Sequence, residues 1–256
     1  MGQVHVAAQQ GFTKEAQAYA RGRPDYPAAI ADWLTDALGL GPGRTVADIG
    51  AGTGKFTRWL LATGANVIAV EPIDAMRVQL EAELPTVQAL AGTAQQVPLP
   101  GASLDAIVCA QAFHWFATRD VLGEFHRLLK PDASLGLVWN VRDDSVDWVA
   151  QLTRIVTPHE GDAPRFYKGD WRKPFPHAGF GPLVETHLRY QHIGTPQQVI
   201  VDRLMSVSFI ATLPPSDNAA VRESLETLIA THPDLRARET LAFPYETVAF
   251  HCTRLP

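Results

Sequence analysis

The eleven residues Ala47–Thr57, ADIGAGTGKFT, set three glycines within five positions. An apolar run, TVADIG from Thr45, leads into them, and an amphipathic run, KFTRWLLATG to Gly64, leads out. Strand, glycine loop, helix is an arrangement that lets a backbone approach a ligand closely. Two phosphate-binding versions of such a loop fit poorly. A P-loop needs Gly-Lys-Ser/Thr, and here Lys55 is followed by Phe56. The dinucleotide fingerprint GxGxxG is met at Gly50 and Gly52, but its last position is Lys55 and the third glycine comes one residue early, at Gly54. Asp48, two residues before Gly50, puts a carboxylate where a diphosphate is repelled and a cation attracted. The loop suits a ligand that carries positive charge and no phosphates.

Moving outward, NVIAVE (Asn66–Glu71) reads as a second strand ending in an acid. A carboxylate there accepts from ribose hydroxyls in nucleoside-binding folds; its bland alternative is a cap on the strand or the next turn. A ribose beside a cationic group, without phosphate, describes S-adenosyl-L-methionine. The alternation then continues. DAMRVQLEAEL predicts a helix with Asp74 as N-cap and Pro85 just past its end. VQALAG is a third strand, LDAIVCA (Leu104–Ala110) a fourth, VLGEFHRLLK a helix stopped by Pro131, and SLGLVWN (Ser134–Asn140) a fifth strand. Such a βαβαβ series predicts an α/β fold with a parallel, doubly wound sheet. Beyond Asp147 the alternation breaks. A helix (Trp148–Thr157), a long loop rich in Pro, Gly and aromatics, a strand (Val184–Gln191), helices over Thr195–Ile210 and Ser216–Ala230, and a strand (Thr240–Arg254) are expected there.

Composition narrows the partners. Apolar residues are 46% and charged residues 19% of the 256, an ordinary globular balance. The net charge of −5 disfavours nucleic acid as a partner. Cys109 and Cys252 lie in strand-like runs and read as core thiols, and no spacing of His or Cys predicts a metal. No secretory leader or membrane span is recognisable, so a cytoplasmic location is expected.

The segments VADIGAGTGKFT, VIAVEPIDAMR, LDAIVCAQAFHWF and LLKPDASLGLVWN resemble the successive motifs of class I S-adenosylmethionine-dependent methyltransferases. With AQAYARGRPDYP near the N-terminus, FHWF and WN, the sequence is similar to the small-molecule branch that includes trans-aconitate-methyltransferase-like proteins. The likeness spans roughly residues 12–140. It implies a doubly wound, mostly parallel, seven-stranded Rossmann-like sheet in one domain, 1–256. Residues 1–40 would form a helical lid, 41–145 the cofactor-binding core, and 146–256 a substrate cap with the closing strands. It also implies that Asp48, Gly50, Gly52 and Gly54 surround the methionine part of the cofactor, that Glu71 holds both ribose hydroxyls, and that Pro72, Ile73 and Met76 lie near the adenine. Thr93 stands where many relatives carry an acid that reads the adenine amino group; the backbone of Ala94 is the expected replacement. Gln111 would sit under the methionine carboxylate and sulfonium. Tyr19, Arg23 and Tyr26, in YARGRPDYP, read either as a lid over cofactor and substrate or as a plain interhelical turn.

His114 follows the fourth strand, on the rim where open α/β sheets place ligands. Between Phe113, Trp115 and Phe116 it would be neutral and base-competent; otherwise it shapes the pocket wall. Trp115, Trp139 and Asn140 are candidate substrate contacts. Phe166, Tyr167 and Trp171 either line a pocket or pin their loop. The expected activity is methyl transfer to oxygen or nitrogen of a small molecule by a monomer or homodimer, without membrane or nucleic acid. The competing readings are a non-catalytic cofactor-binding module and an NAD-dependent dehydrogenase.

Overall fold

The computed structural model describes residues 23–256; Tyr19 and most of the expected lid fall outside them. Strands β1 (Thr45–Ile49), β2 (Asn66–Val70), β3 (Gln88–Leu90), β4 (Leu104–Ala110) and β5 (Leu129–Arg142) pair in parallel. β7 (Leu241–Thr253) runs antiparallel between β5 and β6 (Val184–Gly194), and the sheet order is β3-β2-β1-β4-β5-β7-β6. The mostly parallel, seven-stranded sheet is as expected.

Parallel strands covered on both faces must be apolar on both. All residues of β1 from Val46 to Ile49, and of β2 from Val67 to Val70, are buried. Alternation then divides them. Ala47, Ile49, Ile107, Cys109, Leu137 and Trp139 join one core with Phe113, Phe125 and Phe250. Val46, Val67, Ala106, Val108 and Val138 join the other, with Trp33 and Leu34 of helix α1 (Ile30–Asp36) and Leu60 of α2 (Thr57–Ala62). Both cysteines are buried and free.

Two element ends differ from expectation. Helix α3 runs Asp74–Glu83, but its N-cap is Ile73; the Asp74 carboxylate instead pairs with Arg77 at 2.7 Å, one turn on. Helix α4 (Arg119–Leu128) is capped by Thr118, whose side chain accepts the amide of Val121 at 3.3 Å. It ends before Pro131. β5 begins at Leu129, and the pairing with β4 jumps from Leu104↔Leu129 to Ala106↔Ser134. Pro131 falls in that irregular stretch, where no ladder hydrogen bond is asked of it.

The last strands carry the cap. β5 ends opposite Tyr245 (Arg142↔Tyr245), whereas β6 and β7 stay paired as far as Gly194↔Leu241. They therefore project past the carboxyl edge of the parallel strands. The chain between them and helix α5 (Asp147–Val156) bury a third core containing Trp148, Leu152, Ile200, Leu204, Leu225 and Phe243. The single helix expected over Thr195–Ile210 is instead three pieces: a π-helical turn (Gln197–Asp202), an α-turn (Arg203–Met205) and another (Ser208–Ala211). Six of the seven side chains from Val199 to Met205 are buried, which one amphipathic α-helical stripe does not achieve. Helix α6 (Pro215–Thr231) closes the cap.

Candidate active site

Strand order reverses at β1, so the loops after β1 and β4 diverge and leave a crevice at the carboxyl edge. A cavity occupies it. Its floor is the glycine loop; Glu71, Pro72, Ile73 and Met76 form one wall; Thr93, Ala94 and Gln95 close its end. Gln111, Trp115, Phe116 and Asn140 form the opposite wall, and Arg23, Tyr26 and the cap residue Arg203 complete the lining.

The three glycines serve different ends. Gly50, Gly52 and Gly54 all have positive φ, +75°, +58° and +85°. A Cβ on Gly50 would lie 2.7 Å from Cβ of Ala112, and one on Gly54 would lie 2.8 Å from Leu84 and 3.1 Å from Leu80. These two let the loop pack against β4's exit and α3. Only Gly52 has open space, its nearest neighbour being Met76 Sδ at 3.8 Å. Gly54 does not line the cavity; Gly50 and Gly52 do.

Asp48 is buried, 1% exposed. Its Oδ2 accepts the Thr57 hydroxyl at 2.7 Å, while Oδ1 is buried without a partner. Burial, with Glu71 nearby, pushes its pKa up to about 7. Glu71 divides its carboxylate between two amides: Oε2 accepts from Gly52 and Oε1 from Ile73, each at 2.9 Å. It ties the β1 loop to the β2 exit, and burial raises its pKa despite those bonds. Both acids face the same cavity.

Gln111 takes φ +57° and donates its amide to Val138 O at 2.8 Å; its side chain reaches Asn140 O at 3.4 Å. Asn140 Nδ2 donates to Asp25 O at 2.9 Å, and its Oδ1 accepts the Thr247 hydroxyl at 2.5 Å. The Asn140–Asp25 bond fastens the segment around Tyr26 to the end of β5. Tyr26 is buried, its ring edge-on to Phe56 at 4.8 Å.

Two expected site residues stand back from the cavity. Trp139 is 1% exposed and packs on Trp171 (4.6 Å between ring centres), Phe166 (5.0 Å) and Phe250 (6.0 Å). Phe166 and Trp171 thus pin their loop to the sheet, while Tyr167 is exposed and donates to Glu160. Trp139 Nε1–H donates to His114 Nδ1 at 3.0 Å. Burial, with Arg165 and Arg23 nearby, lowers the His114 pKa to about 3.

Sequence reading missed Arg203. It lies about sixty residues past β5, directly after the π-helical turn, and no spacing rule connects it to the glycine loop. Arg165, beside it in the cap, was equally unmarked.

Residues 47–137 match the profile of a family described as a methyltransferase domain. An uncharacterized methyltransferase-like protein of Schizosaccharomyces pombe is 35% identical over 246 residues, 96% of each chain. An uncharacterized methyltransferase of Mycobacterium tuberculosis is 39% identical over 243 residues, 94% of this chain and 95% of that one. Among solved structures, phosphoethanolamine N-methyltransferase 2 of Haemonchus contortus superposes with TM-score 0.59 at 13% identity, over 100% of this chain and 61% of that one.

Proposed function

The chain belongs to the methyltransferase family, and from that premise we propose that it uses S-adenosyl-L-methionine to methylate oxygen or nitrogen of a small molecule. The observation that carries the cofactor assignment is the buried, unpartnered Oδ1 of Asp48, beside Glu71, in a cavity floored by Gly52. A buried carboxylate oxygen without a partner is costly; a cationic ligand relieves it, and a diphosphate makes it worse. Asp48 would hold the positive methionine end. Glu71 still has lone pairs for ribose hydroxyls, since each of its oxygens accepts one amide. Pro72, Ile73 and Met76 would flank the adenine, with the Ala94 backbone reading its edge where Thr93 replaces an acid. Gln111 would sit under the methionine carboxylate and sulfonium.

The cofactor supplies an electrophilic methyl group on a sulfonium. The chain's own contribution is positioning and exclusion of water. Trp115 and Phe116 supply apolar wall, and Tyr26 with Asn140 covers the opening. The likeness to trans-aconitate-methyltransferase-like proteins supports a small acceptor. We take residues 1–256 as one domain, with the 146–256 cap over the acceptor side, working in the cytoplasm as a monomer or homodimer. No helix of the described residues is long and apolar enough to cross a membrane.

Calorimetry with S-adenosylhomocysteine and with NAD tests the assignment. The thioether is expected to bind and NAD not to bind comparably. Tight NAD binding without thioether binding overturns it. Methyl turnover on an acceptor panel separates an enzyme from a cofactor-binding module.

A further inference from the structure

We infer that the cap holds an oxyanion-binding subsite, built from Arg142, Arg165 and Arg203, that receives a carboxylate or phosphate group of the methyl acceptor. This deepens the reading of the cavity as a methyl-donor site and rests on it for the word acceptor; the subsite itself rests on the arginines alone.

Arg203 is 9% exposed and lines the cavity. Its Nε and Nη1 are buried with no hydrogen-bond partner. Arg165 has a buried, unpartnered Nη2, and its guanidinium lies 4.4 Å over the Phe209 ring. Arg142 ends β5, where it pairs in register with Tyr245, whose buried hydroxyl also lacks a partner. Burial lowers the pKa of both Arg142 and Arg165, and the positive charge of Arg203 beside them lowers both further. Buried donors on a permanent cation are costly when unpaired.

The local acids do not account for them. Glu160, 7% exposed, already accepts the Tyr167 hydroxyl at 2.6 Å and Lys168 Nζ at 3.0 Å, with Arg165 Nε at 3.8 Å. Asp144, the other acid near Arg142, is exposed and accepts the Thr153 hydroxyl at 2.8 Å. Positive charge and unfilled donors remain. A planar or tetrahedral oxyanion satisfies several guanidinium N–H groups at once. Asp48 and Glu71 line the cavity at the glycine loop and the β2 exit, while Arg203 lines it from the cap, with Arg23 and Lys55 also in the lining. A cationic donor and an anionic acceptor each find their own end.

The test is calorimetry on the full chain at low ionic strength, with and without S-adenosylhomocysteine. Inorganic phosphate and succinate are the probes, so that the two sources of oxyanion are separate arms, and sodium chloride is the control. At least one probe is expected to bind saturably to the wild type. R203Q and R165M are each expected to weaken it by about tenfold or more, the size of a charge-assisted hydrogen bond, and R203K to recover part of the loss. Arg165 does not line the cavity, so R165M should keep S-adenosylhomocysteine affinity within about threefold; it also carries the test should R203Q fail to fold by circular dichroism. Absence of binding of both probes, or equal binding in wild type and variants, overturns the subsite. Loss of thioether binding with anion binding intact overturns the donor-site reading instead.

Discussion

Trp139 donates its indole N–H to Nδ1 of His114 at 3.0 Å, and that bond fixes the histidine's tautomer. With Nδ1 accepting, a neutral ring carries its hydrogen on Nε2. His114 is thus a donor at its free nitrogen. With a pKa near 3, it is a weak base for a hydroxyl or ammonium.

His114→Gln keeps a side chain that can donate and accept. Between pH 6 and 9 the methylation rate of this variant should follow the same pH profile as the wild type. An ionisation limb present in the wild type and absent from the variant would restore the base assignment. Stability moves separately. Free histidine takes up a proton near pH 6.5, the folded one near 3, so the unfolded chain binds more protons in that window. Wild-type stability should be full above about 6.5 and fall as the pH drops toward 3, and His114→Gln should flatten that fall in urea titrations.

For Asp48 the sign is opposite. Burial pushes its folded carboxyl up to about 7 from an ordinary 3.8, so the folded state binds the extra proton. Its contribution to stability is fully present below about 3.8 and lost as pH rises through 7. A cationic ligand needs the ionised form. Affinity for S-adenosylmethionine should therefore rise from pH 6 to 8, with proton release seen as a buffer-dependent calorimetric heat. Asp48→Asn should weaken binding by about tenfold or more and abolish that proton release.

Glu71→Ala removes the acceptor from two amides, at a cost of about 1–3 kcal/mol for each one left buried and unsatisfied. Denaturant midpoints should fall, and S-adenosylhomocysteine affinity should drop by at least about tenfold. Glu71→Gln keeps one acceptor oxygen and should lose less of both. Unchanged affinity in Glu71→Ala with the fold intact would leave Glu71 as a structural clamp only.

The glycines separate packing from ligand contact. Gly50→Ala and Gly54→Ala each add a Cβ under 3.0 Å from a neighbouring atom and should lose about 1–3 kcal/mol from overpacking beyond the cost of positive φ. Gly52→Ala bears only the conformational cost, about 1–2 kcal/mol, but fills the open space over the cavity. Thermal unfolding should rank Gly52→Ala the most stable of the three, and ligand titration should rank its cofactor binding as the most damaged relative to its stability. The reverse order would place the ligand elsewhere.

What the sequence determined by itself was local or periodic. The apolar runs Thr45–Ile49, Asn66–Val70 and Leu104–Ala110 are strands because both faces of a parallel sheet are buried, and Gly50 to Gly54 mark a tight turn because only glycine takes positive φ without strain. The order of these segments along the chain placed Asp48, Glu71 and Gln111 at one sheet edge. Tertiary structure decided what depends on partners far away in the chain. Pro131 is in a strand because β4 pairs irregularly there. Trp139 belongs to the core because Phe166 and Trp171 fold back onto it, and His114 takes its tautomer from that same tryptophan. Arg203 reaches the cavity because β6 and β7 outrun the sheet and hold a π-helical turn above it. Hydrophobic period records which face of an element is buried; it carries no record of which distant side chain meets it, and the cap of this site is made of such meetings.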